Sequence, residues 1–264
     1  MKPDDAPFQA LPFPRERLLM VDGGRVARAR HTIHGLVEFD ITATREALRA
    51  YRGRTGEPVS FTAFFLHCLG RAIDADRSMH AYRDWRRRLI LFDDVDANVL
   101  FEVDVDGAKL IRPHILRGIN HRSLKALEHE IRAFQAGHVA STESRFIKAF
   151  VRLPGCVRRL FLRTLLATPR LVKALYGTVM VSSLGMFGRA NGWALPVPNH
   201  TLQITLGGTG EKPTVVNHRV QVRRMMSVTV SLDHDVVDGA PAARFIQRLK
   251  DLVESGDGLE AGPL

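Results

Sequence analysis

The sequence is poor in cysteine and has no long apolar run. Its 264 residues include two cysteines, Cys68 and Cys156, neither in a CxxC or histidine-rich neighbourhood. We therefore expect both to be buried free thiols. No run of 18 apolar residues is present, so a membrane-spanning helix is not expected. The first residues are polar and lack the apolar core of a secretory signal, which favours a cytoplasmic protein without disulfides.

Acidic residues are missing from one segment of the chain. The formal net charge is +10, and residues 145–173 carry eight lysines and arginines without an acid. The remainder is close to neutral, which argues against a nucleic-acid-binding surface and for a local basic element. Two short helical patterns occupy this element, interrupted at Pro154-Gly155 and at Pro169. The histidines lack the spacing of metal ligands, so no metal is expected.

Apolar periodicity predicts a mixture of strands and helices. Ser60 and Ser123 can cap helices whose apolar residues recur every three or four positions, and another such helix follows residue 240. Alternating apolar residues predict strands at 97–105, 178–182, 202–206, 219–223 and 228–232. The mixture predicts a single α/β (α+β) domain with a mixed sheet over residues 30–264, preceded by an extended arm at 1–29.

His234 is the clearest candidate for chemistry. It lies between a predicted strand and a predicted helix, where rigid elements can hold a side chain at a cleft. An imidazole can take up and return a proton near neutral pH. Asp238 and Gly239 complete an HxxxDG pattern. The aspartate could pin the loop or orient the imidazole, and the glycine would permit a turn with positive φ. By itself this pattern is a weak signal, because most lone histidines are structural.

A second candidate lies 52 residues earlier. Ser182 stands at a predicted strand end that runs into a glycine-rich turn through Gly185. A serine hydroxyl at such a bend could donate a hydrogen bond to an oxyanion. Alone, the segment is equally typical of a turn with two polar capping residues.

Together these motifs resemble the catalytic domain of dihydrolipoamide acyltransferases, the acyl-transfer subunits of 2-oxo acid dehydrogenase complexes. The resemblance implies a chloramphenicol acetyltransferase-like two-layer sandwich, with a mixed β-sheet and flanking helices. It also implies His234 as general base, Ser182 as oxyanion donor and Asp238 as a third residue of the catalytic site, paired with Gly239 in the motif. Gly239 and Gly185 would form the structural turns of the site. The segments that carry it are 182–188, 196–199, 206–208 and 231–245, with weaker similarity at 60–64 and 104–113.

The resemblance further implies a reaction and an assembly. An acyl group would move between CoA, as a substrate, and a thiol acceptor such as dihydrolipoyl. The active site would lie between the subunits of a homotrimer, and assembly into a larger cage stays open. Only about 30 residues precede the matched region, so a lipoyl group is expected only in trans, on a partner protein.

Two departures from the family pattern keep alternatives open. Asp235 stands where the family has arginine, and a carboxylate there could raise the pKa of the imidazole. Residues 138–176 replace a shorter segment with a basic helical insert. We interpret it as a packed helical pair with a solvated face; a site for an acidic partner, for CoA phosphates or for a membrane surface along 145–173 is the alternative. The alternative functions are a CoA-dependent acyltransferase acting on a small alcohol or amine, and a non-catalytic trimeric assembly protein.

Overall fold

The described part of the chain covers the predicted domain with few gaps. A computed structural model describes residues 8–15, 17–105, 108–137, 149–184 and 191–259. The predicted turn at Gly185 and the first part of the basic insert, at 138–148, lie outside the described residues.

Among the described residues, six strands form one mixed sheet in the order β1-β8-β7-β6-β4-β5. The central strand β6 runs parallel to β4 and β7, and the other neighbours are antiparallel. A separate hairpin pairs β2 with β3. The strands are β1 Thr32–Asp40, β2 Tyr82–Arg83, β3 Leu89–Ile90, β4 Ala97–Val105, β5 Ala108–Leu116, β6 Val179–Ser183, β7 Leu202–Val216 and β8 Arg219–Asp233.

Helices lie where their caps and apolar spacing predict them. The hydroxyls of Ser60 and Ser123 accept hydrogen bonds from Ala63 N and Ala126 N, at 3.1 and 3.3 Å, which confirms both caps. The helices are α1 Arg17–Ala27, α2 Thr42–Thr55, α3 Phe61–Asp74, α4 Leu124–Gln135, α5 Gly155–Leu166, α6 Pro169–Tyr176 and α7 Gly239–Ser255.

The apolar face of the sheet holds the core. Alternate residues of each strand, such as Val181, Ile204 and Val228, are fully or almost fully buried against α3, α4 and α7. Each large aliphatic side chain enclosed in this way contributes about 1.5–3 kcal/mol relative to an exposed one. The core therefore fixes the positions of the strand ends, on which the candidate site residues stand.

The opposite face of the sheet is lined by hydroxyl and amide side chains that are also enclosed. Residues 191–199 follow close by: Trp193 Nε1 donates to Val37 O at 3.0 Å, and Gly208 N donates to Gly192 O at the same distance. A Cβ at Gly207 would lie 2.3 Å from Gly192 O, so this approach requires glycine. The enclosed polar residues are Ser182, Gln203, Thr205, Ser227, Thr229 and Ser231.

The runs at 219–223 and 228–232 are not two strands. They belong to the single 15-residue strand β8, which pairs with an equally long β7 except at an irregularity between Leu206 and Thr209. The prediction broke the strand at residues 224–227, because the sequence Arg-Met-Met-Ser interrupts the alternation of apolar and polar residues there.

Part of the predicted extended arm is helical. Helix α1 packs on α5 of the basic insert, because Asp22 accepts a hydrogen bond at 2.7 Å from Nε of Arg158. Both side chains are buried, and Arg159 lies 3.3 Å from the other carboxylate oxygen. The insert is thus joined to the N-terminal helix by a buried ion pair, and Arg158 is not part of a solvated basic face.

The two cysteines differ in their surroundings. Cys68 is buried, as predicted, and burial raises the pKa of its thiol. The prediction for Cys156 was wrong: it is exposed, because α5 turns Arg158 inward and leaves Cys156 on its outer side. Within the described residues, no helix has both the length and the apolar character needed to cross a membrane.

Candidate active site

The backbone around His234 is fixed on three sides. His234 N donates to His31 O at 2.8 Å, and Asp233 N donates to Thr201 O at 2.9 Å. The backbone carbonyl of Asp233 accepts hydrogen bonds from the backbone amides of residues 236 and 237, at 3.0 Å each. The His234 side chain is exposed and has no hydrogen-bond partner among the described residues. A rigid loop therefore presents an imidazole that is free to accept a proton.

The residue that anchors this loop is Asp233, which sequence reasoning missed. Its buried carboxylate accepts from Arg30 at 2.5 Å and from Asp235 N at 3.2 Å. Asp238 occupies the position before α7 with no capping hydrogen bond from its side chain, so its predicted role stays a prediction. The prediction of positive φ at Gly239 was wrong, because this residue already begins α7.

The carboxylate of Asp235 forms ion pairs with residues other than His234. Its carboxylate lies 2.9 Å from His31 Nδ1 and 3.5 Å from an Arg83 nitrogen. The hydrogen bond with His31 lowers the pKa of Asp235, and the same bond raises the pKa of His31. The residue that departs from the family pattern thus belongs to an exposed ion-pair cluster beside the loop.

Two other histidines of the fold are unsuited to act as the base. His80 and His200 are buried, and desolvation lowers the pKa of each to about 4. His80 Nδ1 lies 3.1 Å from Thr178 Oγ1, and His200 Nε2 lies 3.0 Å from Tyr176 O. Both imidazoles are enclosed, which leaves no room for a substrate thiol beside them.

Ser182 lies on the enclosed polar face of the sheet. Its Oγ is 3.1 Å from Thr205 Oγ1, and either hydroxyl can donate. On the next strand, Thr229 is paired in register with Thr205, and its hydroxyl has no partner among the described residues. The Ser182 proton can therefore leave Thr205 for another acceptor, such as an oxyanion, at little cost in hydrogen bonding.

The structure does not bring Ser182 and His234 together within one chain. The register places Ser182 level with Thr205 and Thr229, and His234 follows Thr229 by five residues. At about 3.4 Å per residue the two side chains are separated by about 17 Å along the strands, and β6 and β8 also have β7 between them. One reacting atom cannot contact both residues of the same chain.

A cavity of about 710 Å³ lies beside the His234 loop. It is bounded by Asp233 and Asp235, by α1, by the β2–β3 hairpin, and by α5 of the basic insert, which contributes Arg163. The imidazole of His234 is not part of its wall. In the part of the chain that the structure describes, no group of three histidine, cysteine or acidic side chains could hold a metal ion.

Comparison with known proteins supports the resemblance in the C-terminal third. Residues 172–260 match the profile of the 2-oxoacid dehydrogenases acyltransferase (catalytic domain) family. A lipoamide acyltransferase component of a branched-chain alpha-keto acid dehydrogenase complex from Pseudomonas aeruginosa is 41% identical over 80 residues, 29% of this chain and 18% of that protein. A dihydrolipoyllysine-residue acetyltransferase component from Rickettsia felis is 37% identical over 79 residues, 30% of this chain and 19% of that protein. The matched part is thus about a fifth of these relatives' length.

Solved structures extend the similarity of fold to more than nine tenths of the chain. A probable dihydrolipoamide acetyltransferase from Listeria monocytogenes superposes with a TM-score of 0.71 at 16% identity, covering 97% of this chain and 98% of the other. The cubic core of a pyruvate dehydrogenase complex gives a TM-score of 0.69 at 18% identity. The dihydrolipoamide acetyltransferase of Azotobacter vinelandii gives the same score at 17% identity. Each comparison covers 98% of this chain and 96% of the other. Chloramphenicol acetyltransferase gives 0.52 at 13% identity, covering 92% and 96%. The predicted fold is confirmed, and residues 172–260 are similar in sequence to the catalytic domain of the 2-oxoacid dehydrogenase acyltransferase family.

Proposed function

We propose that the protein is an acyltransferase that moves an acyl group between CoA and a thiol acceptor such as dihydrolipoyl. The observation that carries this proposal is the exposed imidazole of His234, which has no hydrogen-bond partner among the described residues and stands on a fixed loop within the segment that matches the family profile. A thiol with a pKa of about 8.5 is mostly protonated at neutral pH, so a nearby base increases the supply of the thiolate nucleophile.

In the proposed reaction, His234 takes the proton of the attacking thiol as its sulfur bonds to the thioester carbonyl carbon. The carbonyl oxygen becomes an oxyanion, and the Ser182 hydroxyl donates a hydrogen bond to it, which stabilises it by roughly 3 kcal/mol. The intermediate then expels the second sulfur as a thiolate, which takes the proton back from His234. One thioester bond forms, one breaks, and no other reactant is needed.

The spacing of these residues supports their roles. The solved structure of the Azotobacter vinelandii acetyltransferase is described as concerning the role in the catalytic mechanism of a serine, a histidine 52 residues later and an asparagine four residues beyond. Here, Ser182 and His234 are likewise 52 residues apart, and Asp238 takes the place of the asparagine.

We further propose that each site combines His234 of one copy with Ser182 of the next, in a trimer. The separation of about 17 Å along the strands within one chain leaves a second copy as the source of the hydroxyl. A cyclic trimer repeats such a contact three times and leaves none unfilled. Similarity of fold to a cubic core is consistent with this proposal and with a larger assembly. The lipoyl acceptor would come from a partner protein.

The first test replaces His234. His234→Ala should abolish acyl exchange between acetyl-CoA and dihydrolipoamide, because no base remains beside the thiol. Ser182→Ala should lower kcat by about 10²–10³ with little change in KM. The control His129→Ala removes another exposed imidazole, from α4, and should leave the rate unchanged. Undiminished exchange by His234→Ala would refute the mechanism.

The second test asks whether the site is shared between copies. Refolding the His234→Ala and Ser182→Ala variants as an equal mixture yields hybrid trimers. If each site draws its histidine and serine from different copies, about one quarter of the sites regain both residues. A recovery near that fraction supports the shared site, and no recovery in proven hybrids contradicts it.

A further inference from the structure

The cavity beside the His234 loop contains two arginines that have no acidic partner in the described part of the chain. Each carboxylate of its wall already has a cationic partner: Asp84 has Arg88 at 2.8 Å, Asp233 has Arg30, and Asp235 has His31 and Arg83. Arg87, from the hairpin, and Arg163, from α5, also line the cavity. Neither has an ion-pair partner within the described ranges, and both are exposed. The cavity is therefore suited to an anion.

The tip of the β2–β3 hairpin adds an aromatic surface to the same wall. Trp85 lines the cavity with 71% of its side chain exposed, although an indole is among the costliest side chains to leave in water. The guanidinium of Arg86 stacks on this ring, 4.5 Å from its centroid. A largely exposed indole, beside arginines that have no ion-pair partner among the described residues, suits a ligand that has both a planar base and phosphate groups.

The hairpin tip is held in this shape before any ligand arrives. The buried Asp84 carboxylate accepts from Arg88 N at 2.8 Å, and its carbonyl accepts from Arg87 N at 3.0 Å. Arg87 has a φ of +62°, a left-handed conformation that is strained for a side chain of this size. Strain that a surrounding network maintains is a common feature of binding sites.

We propose that this cavity binds the nucleotide portion of the acyl donor, with the base against Trp85 and the phosphates on Arg87 and Arg163. Guanidinium groups bind phosphate oxygens with paired, charge-assisted hydrogen bonds. The basic insert then has a defined role, because α5 brings Arg163 to the cavity wall. This inference rests on the proposed function only for the identity of the donor.

A comparison of two thioesters tests the proposal. Acetyl-CoA has the nucleotide, and S-acetyl-N-acetylcysteamine has the same reacting group without it. Arg163→Gln and Trp85→Ala should each lower kcat/KM for acetyl-CoA about tenfold, about 1.4 kcal/mol, and leave the short thioester unaffected. Arg170→Gln, in α6 of the same insert but outside this cavity, should change neither rate. Equal losses with both thioesters, or a loss with Arg170→Gln as large as with Arg163→Gln, would overturn the proposal.

Calorimetry with adenosine 3′,5′-bisphosphate tests binding without catalysis. The wild-type protein should bind this fragment, and Arg163→Gln should weaken binding about tenfold. Arg87→Gly should weaken it similarly without lowering Tm, because glycine relieves the strain at φ +62°. Absence of binding to the wild type overturns the cavity assignment even if acyl transfer is observed. Binding that fails to respond to any cavity variant also overturns it. Binding without any acyl transfer upholds the cavity and refutes the proposed function.

Discussion

The pair formed by Asp22 and Arg158 joins the N-terminal helix to the basic insert, and its removal tests how the insert is held. Both side chains are under a tenth exposed, and the Nε–carboxylate distance is 2.7 Å. Deleting one partner of a buried pair costs about 3–5 kcal/mol, because the other charge stays buried without compensation. Arg158 also donates to the carbonyls of Val151 and Leu153, so its charge keeps some compensation when Asp22 is removed. The loss of unfolding free energy in Asp22→Ala should therefore lie near the lower limit, about 3 kcal/mol. For a domain of this size that lowers Tm by roughly 6–12 °C.

Arg159 provides the matched control for this measurement. It contacts the same carboxylate at 3.3 Å, but its side chain is 34% exposed, so Arg159→Ala should cost at most about 1 kcal/mol. The double variant Asp22→Leu/Arg158→Met should recover most of the stability, because it leaves no buried charge. Urea unfolding followed by circular dichroism, at one protein concentration, gives all three values. If Asp22→Ala and Arg159→Ala destabilise equally, the buried pair does not hold the insert.

Further predictions concern pH, backbone strain and the acceptor. Asp235 raises the pKa of His31, so the stabilising contribution of this pair is complete below about pH 6.5 and is lost as the pH rises through the raised pKa. In Asp235→Asn, the midpoint of an NMR titration of His31 should move to lower pH. An unchanged midpoint would exclude the interaction. Gly177→Ala should destabilise by about 1–3 kcal/mol, because φ is +78° and the new Cβ would lie 2.8 Å from Asp96 O, whereas Gly24→Ala meets no atom within 4 Å and serves as the control in urea unfolding. Offered a panel of acceptors with acetyl-CoA, the enzyme should prefer dihydrolipoamide to amines and alcohols; the opposite preference would favour the alternative acceptor class.

The helices and strands that the sequence predicts best are those whose signal lies within a few consecutive residues. The strict alternation at 97–105 gives β4 with its observed bounds, since each residue's face depends only on its position in the strand. Ser60 and Ser123 give the starts of α3 and α4, because a capping hydrogen bond spans three residues. The segment around His234 is also local, but its predicted role comes from its resemblance, together with the other motifs, to a known family and not from this short pattern alone.

Contacts between distant segments could not be predicted from the sequence. Asp233 is separated by 203 residues from Arg30, and Asp22 by 136 from Arg158, so neither partner follows from spacing. The exposure of Cys156 depends on which side of α5 turns toward α1, and Arg158 decides that side. The cavity has the same origin, since its walls come from segments that only the fold brings together.

The register of the sheet explains why the proposed site of Ser182 and His234 requires a second copy. Ser182 is level with Thr229, and His234 stands five residues further along β8. Sliding β6 by five residues along β7 would remove the separation between Ser182 and His234, but an odd shift turns every side chain of β6 to the other face of the sheet. Ser182 would then enter the apolar core, and Val181 would replace it on the polar face. No adjustment within one chain can therefore unite the two residues and keep the core intact, whereas a symmetric contact between copies leaves both sheets unchanged.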